Sequence, residues 1–282
     1  MTTTLFNQDD SNLTYDSVVI RTQHEIWTHS VGLLCNKQPS GAGTLVQWGD
    51  EYGILTAGHV AKAITSQRCG WLSIPLSSTT HSFRLPCGIL SLVRLAYTKP
   101  SPLGPDLGLI RLPSMVLGTL KAKKSFLSLN VNAARKLKDA SSNNSLFWIF
   151  GSPVEYSSTT KRSHHGFDSI RVAPSVCFHV ILERRSHRRG FDYIKIRASA
   201  RDMLKVKTLK GVSGGGLWRT VLTKGKGQER YNYHGVALVG VAYYERDERE
   251  DGSRVVECHG PESVFVKLLA QTRLDNAEML GL

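Results

Sequence analysis

The sequence predicts an all-β protein in two halves, closed by a C-terminal helix. Three observations predict it: short β-type apolar runs recur from about residue 25 onward, a polar lysine-bearing stretch divides them, and a clear helical pattern appears only near the end. The runs are 30–35, 43–48, 54–56, 107–112, 146–150, 193–198 and 236–244, each bounded by turn formers. Trp48-Gly49-Asp50-Glu51-Tyr52-Gly53 carries turn chemistry, so 43–56 reads as a hairpin whose second strand leads straight into Thr56-Ala57-Gly58-His59. Between 113 and 144 the texture changes: Lys121, Lys123, Lys124, Arg135, Lys136 and Lys138 precede Asp139-Ala140-Ser141-Ser142-Asn143-Asn144, a linker composition. In 261–269, Val264 with Leu268 and Phe265 with Leu269 stand at i,i+4, the spacing of a helix packed by its apolar face. No repeat of solenoid or propeller period is visible, and no second globular unit is expected after residue 270.

Composition narrows the function classes. A chain of 282 residues with 41% apolar and 21% charged content is neither a disordered polymer nor a disulfide-stapled miniprotein. Cysteines 35, 69, 87, 177 and 258 form no C-x-x-C pair, which excludes a zinc ribbon and a dense disulfide framework. Cys35, Cys87 and Cys177 read as small core residues, and a reduced, cytoplasmic compartment is the default. Residues 1–16 lack a signal-peptide pattern, and no apolar run approaches the roughly 20 residues that span a bilayer, so no membrane partner is expected. The net charge of +13 makes a field that attracts nucleic acid or an acidic protein partner, and its sign alone does not choose between them. His164-His165 and Cys258-His259 have no partner at metal-ligand spacing and read as loop residues; neither metal nor cofactor is expected. Gly225-Lys226-Gly227 lacks phosphate-loop spacing and reads as a hairpin turn.

Three segments carry chemistry: Leu55-Thr56-Ala57-Gly58-His59-Val60, Asp106-Leu107-Gly108-Leu109-Ile110-Arg111-Leu112 and Gly211-Val212-Ser213-Gly214-Gly215-Gly216. A serine hydroxyl is a poor nucleophile at neutral pH, so an imidazole must take its proton and a carboxylate must hold that imidazole. Gly-x-Ser-x-Gly also marks the nucleophile elbow of α/β-hydrolases. That fold needs alternating helices and the order Ser, Asp, His, whereas here the serine comes last.

Together with Gly41-Ala42-Gly43-Thr44 and Phe150-Gly151-Ser152-Pro153, these segments resemble the signatures of the chymotrypsin-like (trypsin-fold) serine peptidases, particularly the disulfide-free bacterial and viral branches. The resemblance covers about residues 28 to 270. It implies two perpendicular six-stranded antiparallel Greek-key barrels with a C-terminal helix and a site in the crevice between barrels. The divisions would be an N-terminal extension at 1–24, a first barrel at 25–120, a linker at 121–145, a second barrel at 146–260, and the C-terminal helix and tail at 261–282. It implies a serine endopeptidase acting on a polypeptide substrate through an acyl-enzyme. Ser213 would be the nucleophile, His59 the base and Asp106 its orienting carboxylate, with the backbone N–H groups of Gly211 and Ser213 as oxyanion hole.

The primary pocket would draw on Lys207 and on Gly240, Val241, Ala242 and Tyr243, with Tyr244 beside them. Lys207 has two readings: inward, it favours an acidic P1 side chain; outward, it is one tooth of an alternating strand at 204–208. Many relatives carry Asp just before the nucleophile, paired in the secreted zymogens with a newly cut N-terminus. Val212 stands there in this chain and excludes that route. Restricted intracellular processing fits these departures, and the residues do not choose between a bacterial-defence and a viral-processing role. Glu183-Arg184-Arg185-Ser186-His187-Arg188-Arg189-Gly190 is either a solvated hairpin tip or an anion and nucleic-acid contact. The alternative to an enzyme is a catalytically silent trypsin-fold module that binds through its basic surface.

Overall fold

The computed structural model describes residues 11–76, 82–96, 104–129, 145–153, 158–160, 169–171, 176–198, 209–224, 230–246 and 249–280. A helix, α1 (Tyr15–His29), precedes the first sheet. Sequence reading left it unassigned because its buried stripe is only Val18, Thr22 and Ile26, with a threonine in the middle. Thr14 caps it by accepting the Ser17 N–H at 3.3 Å. The Glu25 carboxylate ties it to the second half by accepting the Tyr233 hydroxyl at 2.6 Å and the Val236 N–H at 3.3 Å. At its far end the Lys124 ammonium donates to the Trp27 and Ser30 carbonyls at 2.7 and 3.1 Å and lies over the Trp27 ring. Lys124 therefore belongs to the packed interior and not to a solvated linker; burial pulls its pKa down to about 7.

The first half is one sheet. Its strands are β1 (Ser30–Cys35), β2 (Gln38–Trp48), β3 (Glu51–Thr56), β4 (Trp71–Pro75), β5 (Ser82–Pro86), β6 (Ser91–Ala96) and β7 (Asp106–Arg111). The spatial order is β5-β4-β1-β2-β3-β7-β6, and a two-residue strand, β8 (Leu127–Ser128), lies parallel to β2. The short helices α2 (Gly58–Ile64) and α3 (Leu117–Lys121) lie within this half. A six-stranded barrel was expected here; among the described residues the strands form a sheet whose two end strands, β5 and β6, are not paired with each other. The expected 43–56 hairpin is present, with Trp48 opposite Glu51. The β1–β2 turn uses Asn36 and Lys37, both at positive φ (49° and 71°), as a two-residue turn matching strand twist requires.

The second half contains β9 (Leu146–Gly151), a small pair β10 (Ser158–Thr160) and β11 (Ser169–Arg171), then β12 (Val176–Arg188), β13 (Phe191–Ala198), β14 (Gly216–Lys224), β15 (Tyr231–Glu245) and β16 (Arg254–His259). Six of them close a barrel in the order β12-β13-β16-β15-β14-β9. The basic tract is the end of β12 and its turn: Arg188 pairs with Phe191 across Arg189 and Gly190, both at positive φ. The 225–227 segment lies outside the described residues, between β14 and β15, which pair antiparallel. This is an all-β architecture: mostly antiparallel strands, one closed barrel, a second sheet and a C-terminal helix.

Successive strand residues point to opposite faces, and this sorts the core. On β3, Ile54 enters the interior of the first half while Leu55 faces the second; on β14, Leu217 fills the barrel and Trp218 faces out to the junction. The junction cluster also takes Val264 and Leu268, both fully buried, with Phe265 and Leu269 packed against it. These are the pairs that predicted the C-terminal helix, which begins with a π-helical turn (Ser263–Leu268) and continues as α4 (Leu269–Leu280). Its start is capped from β13: the Asp192 carboxylate accepts the Ser263 N–H and hydroxyl at 2.6 Å each and the Glu262 N–H at 3.0 Å. Asp192→Ala is expected to lower unfolding stability by about 1–3 kcal/mol, read by urea titration, with faster amide exchange in 261–268.

The thiols of Cys69 and Cys87 are 2.8 Å apart and Cys35 is their neighbour. Cys69 and Cys87 are buried and Cys35 is half-buried beside them, and burial pushes Cys69 up to about 11 and Cys35 up to about 12, which favours the thiol form. No helix among the described residues is long and apolar enough to cross a membrane.

Candidate active site

His59 stands in the first turn of α2, directly after β3 ends at Thr56, and Asp106 opens β7, the neighbour of β3. Gly108, opposite Thr56, lets α2 rest on β7. A Cβ there would come within 2.8 Å of Ala61 Cβ and 3.3 Å of Gly58 Cα. The close approach sets His59 over Asp106. His59 Nδ1 is 2.5 Å from Asp106 Oδ2, and the His59 backbone N–H donates to Oδ1 at 2.8 Å. The carboxyl is 4% exposed and the imidazole 33%, so a buried acceptor holds a ring whose other edge reaches solvent. Because a carboxylate accepts, the hydrogen bond assigns the proton to Nδ1 and leaves Nε2 with its lone pair.

The Ser213 loop lies at the junction of the two halves and is held by its backbone. The Val212 N–H donates to the Leu209 carbonyl at 2.9 Å, Gly214 to Ala242 at 2.7 Å and Gly215 to Val212 at 2.8 Å. The Ser213 carbonyl accepts the Ala42 N–H at 2.9 Å, and the Gly211 carbonyl accepts the Ser152 N–H at 3.1 Å. Among the described residues, the N–H groups of Gly211 and Ser213 have no acceptor, although the N–H between them is used. Gly211 has φ +97°, and a Cβ on it would run into the Ser152 carbonyl; Gly214 has φ +85°, and its Cβ would run into Thr56 Oγ1 and the Ala42 carbonyl. The loop thus touches Thr56 and Ala57, the residues that lead into the His59 helix. The Ser213 side chain is half-buried, and its hydroxyl has no hydrogen-bond partner among the described residues, His59 included. Val212 is 2% exposed and packs in the barrel cluster, an apolar anchor in place of an ion pair.

The residues expected to line the primary pocket are placed unevenly. Lys207 lies outside the described residues. Gly240, Val241 and Ala242 are buried in β15, and Ala242 binds the Ser213 loop through both its N–H and its carbonyl. Tyr243 is 2% exposed, its ring packed beside Tyr193 and His259, so Tyr244, half-buried, is the ring of this stretch with surface to offer.

One residue read from the sequence as loop is neither loop nor exposed. His259 is the last residue of β16 and fully buried, and its Nε2 accepts the Asp106 backbone N–H at 2.9 Å. The available signal was the apolar alternation of Arg254-Val255-Val256-Glu257-Cys258-His259 before Gly260-Pro261, a strand running into a helix start. His164 and His165 lie outside the described residues. Among the described residues no group of histidine, cysteine and carboxylate side chains is arranged to hold a metal ion.

No protein-family model matches the chain, and no curated protein matches it. Among solved structures, one similar chain comes from work on how aromatic interactions drive the coupled folding and binding of the intrinsically disordered Sesbania mosaic virus VPg protein. It is 13% identical with a TM-score of 0.45, over 86% of this chain and 90% of that one. Another is the HtrA-type protease AlgW with a tripeptide, 14% identical with a TM-score of 0.43, over 90% of this chain but 64% of that one.

Proposed function

We propose that this protein is a serine endopeptidase in which Ser213, His59 and Asp106 act together on a peptide bond. The observation that carries the reading is the two-point hold of Asp106 on His59, which leaves Nε2 with its lone pair on a helix whose lead-in, Thr56 and Ala57, the Ser213 loop approaches. The N–H groups of Gly211 and Ser213, which have no acceptor among the described residues, support it, because such backbone donors suit a developing oxyanion. Free enzymes often hold the hydroxyl and imidazole loosely, and the contact tightens once substrate is bound.

In this mechanism the substrate carbonyl enters the crevice with its oxygen towards those two donors. Ser213 Oγ attacks the carbonyl carbon as His59 Nε2 takes its proton, and Asp106 stabilises the imidazolium. Collapse of the tetrahedral intermediate breaks the C–N bond, and the imidazolium protonates the leaving amine. Water then enters, loses a proton to His59 and releases the acid product from Ser213. Charge on the oxyanion is met by fixed dipoles, so little reorganisation is needed as it forms.

A fluorophosphonate probe tests the reading without knowledge of the natural substrate. The full-length protein is expected to gain one adduct, mapped by peptide mass spectrometry to Ser213. An adduct on another residue, or none on folded protein, overturns it.

A further inference from the structure

His259 is the side chain that the proposed mechanism does not use, yet it touches the mechanism's least exposed member. It lies 153 positions from Asp106 in sequence, and its Nε2 receives the Asp106 backbone N–H at 2.9 Å. Its ring lies against Tyr243 and Tyr193, with centroids 4.6 and 5.1 Å away, so it cannot swing without moving both. Its other nitrogen, Nδ1, is buried with no hydrogen-bond partner among the described residues. A nitrogen that accepts carries no proton, so the ring is the neutral Nδ1–H tautomer, with one donor stranded in the core. A phenylalanine here would remove the stranded Nδ1–H but strand the buried Asp106 N–H in its place, so stability alone gives the imidazole no large advantage. The acceptor nitrogen is the part of His259 that packing does not explain.

We propose that His259 is a positioning residue: by holding the main chain of Asp106 across the junction of the two halves, it sets where that carboxylate meets His59. The inference rests on the peptidase reading above and deepens it. β7 begins at Asp106, so its first N–H would otherwise be free to shift, and the carboxylate would move with it. Through His259 the end of β16, and with it the closed barrel that carries the serine loop, fixes the carboxylate that lies in the other sheet.

The same burial makes the contact acid-sensitive. Burial pulls the His259 pKa down to about 4 from an ordinary 6.5, with Arg188 acting in the same direction and the carboxylates of Asp106 and Asp192 opposing. Tyr193 and Tyr243 cover the ring faces. Because the folded pKa lies below the unfolded one, the unfolded chain binds the proton more readily between those values. This contribution to stability is therefore complete above about pH 6.5 and is lost as the pH falls through about 4.

The test measures the rate of fluorophosphonate inactivation, split into kinact and KI, alongside thermal unfolding from pH 4 to 8, on full-length wild type and His259→Phe, →Gln and →Asn. Phenylalanine keeps the ring and removes the acceptor; glutamine places an oxygen near the Nε2 position; asparagine is too short to reach it. His259→Phe is expected to lower kinact on the order of 100-fold, the cost of a small misplacement of reacting groups, with KI little changed. At neutral pH its thermal midpoint should lie close to that of wild type, one stranded donor having replaced another, and it should lose less stability towards pH 4. His259→Gln should recover most of the rate and His259→Asn should not. In an Asp106→Asn background, His259→Phe should add little, because both changes act through one carboxylate. A folded His259→Phe protein that labels at the wild-type rate overturns the proposal. So does an equal loss in the Asp106→Asn background, or equal rates for the glutamine and asparagine variants should the phenylalanine variant not fold. Wild type that gains no Ser213 adduct is a different result: it overturns the peptidase reading and the positioning role with it.

Discussion

Ser213→Ala is expected to lower peptide hydrolysis by about a million-fold, the loss typical of removing a triad nucleophile, while the fold stays intact. The two halves of that expectation come from separate observations. Activity is lost because no other hydroxyl sits on the loop whose N–H groups at 211 and 213 have no acceptor among the described residues. The fold is kept because the Ser213 hydroxyl has no hydrogen-bond partner among the described residues, and the contacts that hold the loop run through its backbone. The thermal midpoint should therefore move by no more than a half-buried, unbonded hydroxyl allows, within about 0.5 kcal/mol. Hydrolysis is read on a diverse peptide pool by mass spectrometry, with wild type in parallel. Activity within tenfold of wild type would place the nucleophile elsewhere.

Asp106→Asn is expected to cost about ten-thousand-fold in turnover, through the tautomer and not through shape. The amide oxygen could still accept the His59 backbone N–H that Oδ1 accepts at 2.8 Å. The amide nitrogen would then face His59 Nδ1 and donate to it, so Nδ1 would become the acceptor and the proton would sit on Nε2. A protonated Nε2 cannot take the Ser213 proton. Volume and burial are conserved, and the Asp106 backbone N–H still reaches His259, so unfolding stability should change far less than activity. The comparison to make is turnover against thermal midpoint on the same preparation. A turnover loss below tenfold would show that the carboxylate does not orient the base.

Much of this was legible before any coordinates. The β-type runs, the 43–56 hairpin and the apolar pairs of the C-terminal helix are local patterns, and side chains two or four positions apart decide them. The three segments that carry His59, Asp106 and Ser213 were singled out by residue type and order, and on the proposed reading that order is what an acyl transfer needs. Less legible were α1, whose buried stripe includes a threonine, and Lys124, whose basic neighbours gave no hint that it turns inward onto Trp27.

The chain by itself determined the all-β class, the division into two halves and the chemical identities of His59, Asp106 and Ser213. Only the tertiary structure decided which backbone donors around Val212 lack an acceptor among the described residues, that Tyr243 is buried while Tyr244 keeps surface, and that a histidine from the last strand holds the first residue of a strand in the other sheet. The physical reason is range. Periodicity and turn chemistry act over a few residues. The Asp106–His259 hydrogen bond exists because two sheets pack with their strand ends in register, a property that no window of sequence around either residue contains.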